Sequence, residues 1–143
     1  METDETIKKG FLRLERYAQN IPGGFHCCAE DPENGYPFAY VSDRFLEILG
    51  WERKEFAARF DNRYTALVHP DDLAVGLRYR NAENSATYAK NGDSILRLLG
   101  KNGYRWVTNA ANRVEWHDKG YIVGTITDIT PYMELREKLE QQN

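Results

Sequence analysis

Apolar positions along the chain change their spacing several times, and each change marks a new element. Ile7, Phe11, Leu14 and Ala18 follow at spacings of four, three and four, laying one narrow stripe along a helix over Glu5–Gln19. Gly10 weakens that helix by about 1 kcal/mol relative to alanine, so it needs a packing partner. Ile21-Pro22-Gly23-Gly24 breaks it. Phe25–Glu30 and Phe38–Val41 then read as short strands on either side of the turn-rich Asp31-Pro32-Glu33-Asn34-Gly35.

The middle of the chain is helical. Ser42 is placed to cap a helix whose Phe45, Ile48 and Leu49 share a face, and Gly50 closes it. Trp51–Phe60 is short and ambiguous. His69-Pro70-Asp71-Asp72 opens a further helix, with proline at its first position and acids where the helix dipole favours them. Val75, Tyr79, Ala82 and Ala86 share one side of it, which carries the expected helix to Ala86. Gly92 ends the helical region.

Strand patterns return with Ser94–Leu99, Tyr104–Trp116 and Tyr121–Ile129. Lys101-Asn102-Gly103 turns between the first two. His117-Asp118-Lys119-Gly120 turns between the last two, with Gly120 expected to take the positive φ. The last strand is apolar on both sides: Tyr121, Val123 and Ile129 face one way, Ile122 and Ile126 the other. Such a strand belongs in the centre of a sheet covered on both faces. Thr130 is then a natural N-cap and Pro131 a first helical residue, leading into a helix to Gln142. On that helix Tyr132, Leu135 and Leu139 form a short seam, and Glu134 with Lys138 an i,i+4 pair. Strands grouped at both ends with helices between them predict an antiparallel α+β domain, not a parallel βαβ one.

A chain of 143 residues is one domain by length. A net charge of −3 without a Lys/Arg cluster argues against a nucleic-acid partner. No apolar run approaches the roughly 18 residues needed to cross a bilayer, so this segment is expected not to insert in a membrane. METDETIKK is no signal peptide, and a cytoplasmic setting is expected. The two cysteines, Cys27 and Cys28, are adjacent in a strand, so their side chains leave on opposite faces and stay reduced.

Chemistry-bearing patterns are few. His26, His69 and His117 are far apart, with no ligand pair at i, i+4 and no Cys-x-x-Cys, so no metal is expected. His69 beside Asp71 and Asp72 reads as a helix start. No nucleophile–base spacing and no phosphate-cradling glycine loop occurs, so no catalytic residue is expected and the segment is read as non-enzymatic.

Several segments together resemble a PAS domain of the subgroup that carries a short motif after its last strand. They are Ile21-Pro22-Gly23-Gly24, Val41-Ser42-Asp43-Arg44-Phe45, Leu49-Gly50-Trp51, Leu67-Val68-His69-Pro70-Asp71-Asp72, Gly103-Tyr104-Arg105-Trp106-Val107 and Asp128-Ile129-Thr130. They stand in family order over Ile21–Gln142. The resemblance implies a five-stranded antiparallel sheet in order 2-1-5-4-3, with the middle helices on one face around a small cavity. It divides the chain into a flanking helix over 1–20, the PAS domain over 21–130 and the start of a signalling helix over 131–143. It also implies a sensory role in a larger bacterial protein, with a histidine kinase or a diguanylate cyclase as output.

Cofactors of PAS relatives can be checked against these residues. Flavin-binding members carry a cysteine in an Asn-Cys-Arg-Phe sequence, where this chain has Asn62-Arg63-Tyr64. Haem-binding members use a histidine on the long helix, and Asp71–Ala86 has none. No cofactor is therefore expected, which leaves an unidentified small molecule or no ligand; a cofactor-bearing photo- or redox sensor is the alternative. Alternation aligned to the family's inward face proposes a pocket lined by Phe25, Cys27, Ala39, Val41, Leu96, Leu98, Val107, Asn109, Ile122 and Ile126. Asn109, as a buried amide, should bond a ligand, a water or a helix backbone. The signal-exit junction is Asp128, Ile129 and Thr130. A homodimer is expected, with the helix carrying Ile7, Phe11, Leu14 and Ala18, or a partner subunit, covering the outer face of the sheet.

Overall fold

In the computed structural model the described residues are Lys9, 23–81, 83–84 and 94–142. The expected N-terminal helix with Ile7, Phe11, Leu14 and Ala18 lies outside them. Five strands form one antiparallel sheet: β1 (Gly24–Ala29), β2 (Phe38–Val41), β3 (Ser94–Gly100), β4 (Gly103–Trp116) and β5 (Lys119–Asp128). Their spatial order is β2-β1-β5-β4-β3, so the strand that is apolar on both sides is the central one. Helices α1 (Asp43–Leu49), α2 (Arg53–Arg59), α3 (Tyr64–Leu67) and α4 (Leu73–Gly76) lie between β2 and β3 in the chain, and α5 (Thr130–Gln141) follows β5.

Capping sets the first helix. Ser42 Oγ accepts from the Phe45 amide at 3.2 Å and from the Phe25 amide at 3.0 Å, so one hydroxyl starts α1 and pins it to β1. Gly50 closes α1 in the left-handed region at φ 81°. The ambiguous stretch after Trp51 is helical as α2, where the Glu55 carboxylate turns back to the Glu52 amide.

The helix expected to reach Ala86 stops at Gly76. A continuing helix would bond the Arg80 amide to the Gly76 carbonyl. Instead the Tyr64 hydroxyl donates to that carbonyl at 2.7 Å, and the Arg80 amide donates to Ala111 of β4, also at 2.7 Å. Tertiary partners have taken both halves of the helical bond. Ala82 and Ala86 of the predicted stripe lie outside the described residues.

The β4–β5 turn also differs from expectation. His117 (φ 50°) and Asp118 (φ 63°) take the left-handed conformations of a two-residue turn. Gly120 is a β5 residue opposite Glu115; its lack of a side chain serves space, because a Cβ there would run into Glu30 Oε1 and stand 2.7 Å from Arg113 Nη2.

Two clusters of buried residues lie on opposite faces of the sheet. The larger joins Cys28, Phe38, Val41, Leu96, Leu98, Val107 and Ile126 to Phe45, Leu49, Phe56, Tyr64 and Leu67 from the helices and to Phe60 just after α2. The smaller gathers Cys27, Ala39, Tyr40 and Tyr121. The predicted pocket positions on β1 are therefore one residue out. His26 and Cys28 face the helices, while Cys27 belongs to the other cluster and Phe25 shares its side of the strand. Gly24 sets this phase: a Cβ there would sit 2.6 Å from the Phe45 Cα, so only glycine lets α1 cross at that point. Ala39 is also displaced from its expected inward position. Cys27 pairs with Tyr40 and Cys28 with Phe38, so Ala39 is the extra residue of a bulge and turns to the smaller cluster, while Val41 remains inward.

Candidate functional site

The inner face carries a polar pair in its middle. His26, 2% exposed, lies with its Nε2 3.0 Å from Asn109 Oδ1. In this arrangement Nε2–H donates to the amide oxygen, and Nδ1 is buried without a hydrogen-bond partner. β5 runs between the two residues, and Gly124 is what lets them meet: a Cβ there would be 2.7 Å from Nε2 and 3.0 Å from Oδ1. The imidazole stacks on Tyr64 with centroids 5.9 Å apart and planes within 8°, and meets Phe45 at 5.5 Å. Burial lowers its pKa from 6.5, and the bond to Asn109 opposes that only in part.

A cavity of about 20 Å³ adjoins this pair. That is room for about one water. Tyr36, Tyr64, Tyr79, Asn109 and Ile122 are in its wall. At its rim Tyr79 donates to Glu30 Oε2 at 2.8 Å, and Glu30 takes both oxygens to Arg113 Nε at 2.9 Å. Burial, with Glu30 adding to it, pushes the Tyr79 hydroxyl up to about 12, so it stays a donor. The rings of Phe38, Phe45, Phe56 and Phe60 fill the rest of the core in edge and tilted contacts.

Of the ten expected lining residues, Val41, Leu96, Leu98, Val107, Asn109, Ile122 and Ile126 are buried on the inner face, and Ile122 and Asn109 touch the cavity itself. Phe25, Cys27 and Ala39 are not brought there. His26 was missed; the close approach at Gly24, readable as a glycine at the head of a strand, was the signal that fixes its side. Asn109 finds a side chain of the sheet as its partner. The residues that hold a flavin thiol adduct or a haem in PAS relatives are not matched here: Asn62-Arg63-Tyr64 has no thiol, and residues 71–86 carry no histidine. Among the described residues no three His, Cys, Asp or Glu side chains gather as metal ligands, and no helix is long and apolar enough to cross a membrane.

The second candidate region is the junction of β5 with α5. Asp128 Oδ2 meets Arg105 Nη2 at 2.7 Å, while Oδ1 accepts the Thr130 amide at 3.0 Å. Burial opposes ionisation of Asp128, but these bonds outweigh it and hold the carboxyl below its ordinary value. Ile129 occupies the N-cap position, and the side chain that serves a first-turn amide is Asp128, not Thr130. The Thr130 hydroxyl instead accepts from the Trp106 amide at 2.8 Å, and the Ile129 amide donates to the Trp106 carbonyl at 2.8 Å. Beyond this knot Tyr132, Leu135 and Leu139 are all more than half exposed. The i,i+4 pair that closes on α5 is Arg136–Glu140 at 3.2 Å rather than Glu134–Lys138.

Similarity to known proteins agrees with this architecture. One solved structure, a sensory box histidine kinase/response regulator from Burkholderia thailandensis, is 21% identical, covering 91% of this chain and 94% of that one at a TM-score of 0.58. A PAS domain from a two-component sensor histidine kinase is 13% identical over 83% of this chain and 96% of that one, at 0.56. An RNA-binding light-oxygen-voltage receptor is 16% identical over 90% of this chain and 36% of that one, at 0.57. Identities this low show a shared fold alone. No curated protein matches the chain. The family model described as the PAS fold matches residues 38–126, most of the sheet and all the helices that cover its inner face, and the chain belongs to that family.

Proposed function

We propose that the chain is a regulatory sensory and dimerisation module of a bacterial signalling protein. It passes a ligand-induced or conformational signal through α5 to an output domain, a histidine kinase or a diguanylate cyclase. The observation that carries this reading is the knot at the end of β5. Asp128, Ile129 and Thr130 bind the first turn of α5 to Arg105 and Trp106 of β4, so a shift of the sheet moves the helix with it. The helix leaves with Tyr132, Leu135 and Leu139 uncovered, a seam suited to a second copy of itself. Residues 21–130 act as the sensing unit, 131–143 begin the signalling helix, and 1–20 with Ile7, Phe11, Leu14 and Ala18 add to the dimer. Names of the similar structures, a sensory box histidine kinase among them, support the choice of output class.

The test is output activity of the full-length protein carrying Asp128→Ala, beside Glu115→Ala on the exposed β4–β5 hairpin as a control. Altered basal or signal-dependent output for Asp128→Ala alone supports the proposal, and unchanged output sinks it. Light scattering tests the dimer separately: a monomer at high concentration, unaffected by Leu135→Asp, removes that part.

A further inference from the structure

Arg97 on β3 touches three parts of the molecule at once. Its Nε and Nη2 hold both oxygens of Asp72, at 2.8 and 3.0 Å, and its own amide donates to the same carboxylate at 2.8 Å. Its carbonyl accepts the His69 amide at 3.0 Å. Its guanidinium carbon lies 4.8 Å from the centre of the Trp106 ring. Both partners in the ion pair are largely shielded, at 27% and 15% exposure, which spares it most of the screening that weakens surface pairs. Trp106 in turn gives its amide to Thr130 Oγ1 and its carbonyl to the Ile129 amide, the two residues that start α5.

We infer that Asp72, Arg97 and Trp106 form a mechanical link around the β3 edge, joining the turn that precedes α4 to the first turn of α5. α4 is part of the cavity wall through Gly76, whose carbonyl holds the Tyr64 hydroxyl. Movement of that wall pulls on Asp72 and hence on the Arg97 guanidinium. A guanidinium placed over an aromatic ring and forked onto a carboxylate has little freedom to satisfy both in another position. Shifting it displaces Trp106, whose backbone is the anchor of α5. Arg97 is a positioning residue, and this link reaches the Trp106 anchor from β3, whereas Asp128 reaches the start of α5 from β5. The inference concerns coupling within this chain, and it holds or fails whatever output domain lies beyond α5.

Amide hydrogen exchange of the whole chain, followed by NMR, tests it. Asp72→Asn and Arg97→Lys are each expected to speed exchange of the Ile129 amide about tenfold while leaving the Cys27 and Val123 amides of the central strands unchanged, as a local opening does. The double variant is expected to match either single one, because both break the same link. Lys101→Ala, which breaks the ion pair with Glu55 just after β3, is expected to leave Ile129 unaffected. Faster exchange confined to residues 68–73 and 95–99 would overturn the link. So would a uniform increase that includes Cys27 and Val123, since that is plain loss of stability, and so would additive effects in the double variant.

Discussion

His26 and Asn109 meet at 3.0 Å across a strand to which neither belongs, over Gly124 of β5, which has no side chain to separate them. A methyl group at Gly124 would stand 2.7 Å from the imidazole nitrogen. Gly124→Ala is therefore expected to destabilise the domain by about 1–3 kcal/mol, the usual cost of overpacking a core. Urea unfolding measures it, and Asn109→Ala in the same background should recover part of the loss. A Gly124→Ala protein as stable as the parent would show that the pair is not held as described.

The same imidazole sets a pH dependence. Its folded pKa lies below 6.5, so the folded state binds fewer protons than the unfolded one as pH falls. Stability is complete above about pH 6.5 and declines below it, by at most about 1.4 kcal/mol per pH unit, until the folded pKa is reached. Asp72 and Asp128 are depressed in the folded state, so their contribution is present at neutral pH and goes only below the ordinary carboxylate range. In the first of these windows His26→Leu should flatten the curve. An equal slope between pH 6.5 and 5 in parent and variant would assign the decline to another group.

Ser42 serves two amides, and its loss should reflect both. Ser42→Ala is expected to cost about 1–2 kcal/mol, the upper part of the range for an N-cap. Exchange of the Phe25 and Phe45 amides should accelerate together. Acceleration at Phe45 alone would mean that the bond to β1 contributes nothing.

Asp128→Ala removes the acceptor of the first α5 amide and an ion pair with Arg105. A fall of about 1–2 kcal/mol is expected, larger than for an exposed acid. Circular dichroism should show fraying confined to the helix start, with the near-ultraviolet spectrum of the core retained. Asp128→Asn keeps an acceptor for the Thr130 amide and should restore most of the helix. If it restores none, the charge on Arg105 matters more than the cap.

Much of the sheet was legible from local pattern, because β5 is apolar on both faces and only a central strand can be so. Strand phase on β1 was not. Phe25 and Cys27 look like the apolar inward set, whereas the inward set contains a histidine whose polarity is met by an amide 83 positions away in the chain. Periodicity does not encode a partner that distant, and Gly24 was the only local sign. The long helix expected from Asp71 failed for a related reason: Tyr64 and Ala111 took its hydrogen bonds, and neither lies in the segment that predicted it. At the exit, residue type identified the right three positions and the carboxylate's partners, a backbone amide and an arginine, but not that the Thr130 hydroxyl holds Trp106 instead of capping α5.

Cys27 and Cys28 are neighbours, yet they belong to opposite packing clusters, and both are buried and outside any disulfide. One peptide bond thus separates two chemically identical reporters that sample different sides of the sheet. Burial, with Cys27 adding to it, raises the Cys28 thiol well above its usual value, so it reacts only when the helical side opens. In Cys27→Ser and Cys28→Ser proteins, the labelling rate of the remaining thiol times the opening of one face at a time. A stimulus that loosens the helices and one that opens the opposite face would then leave different chemical records in the same two consecutive residues.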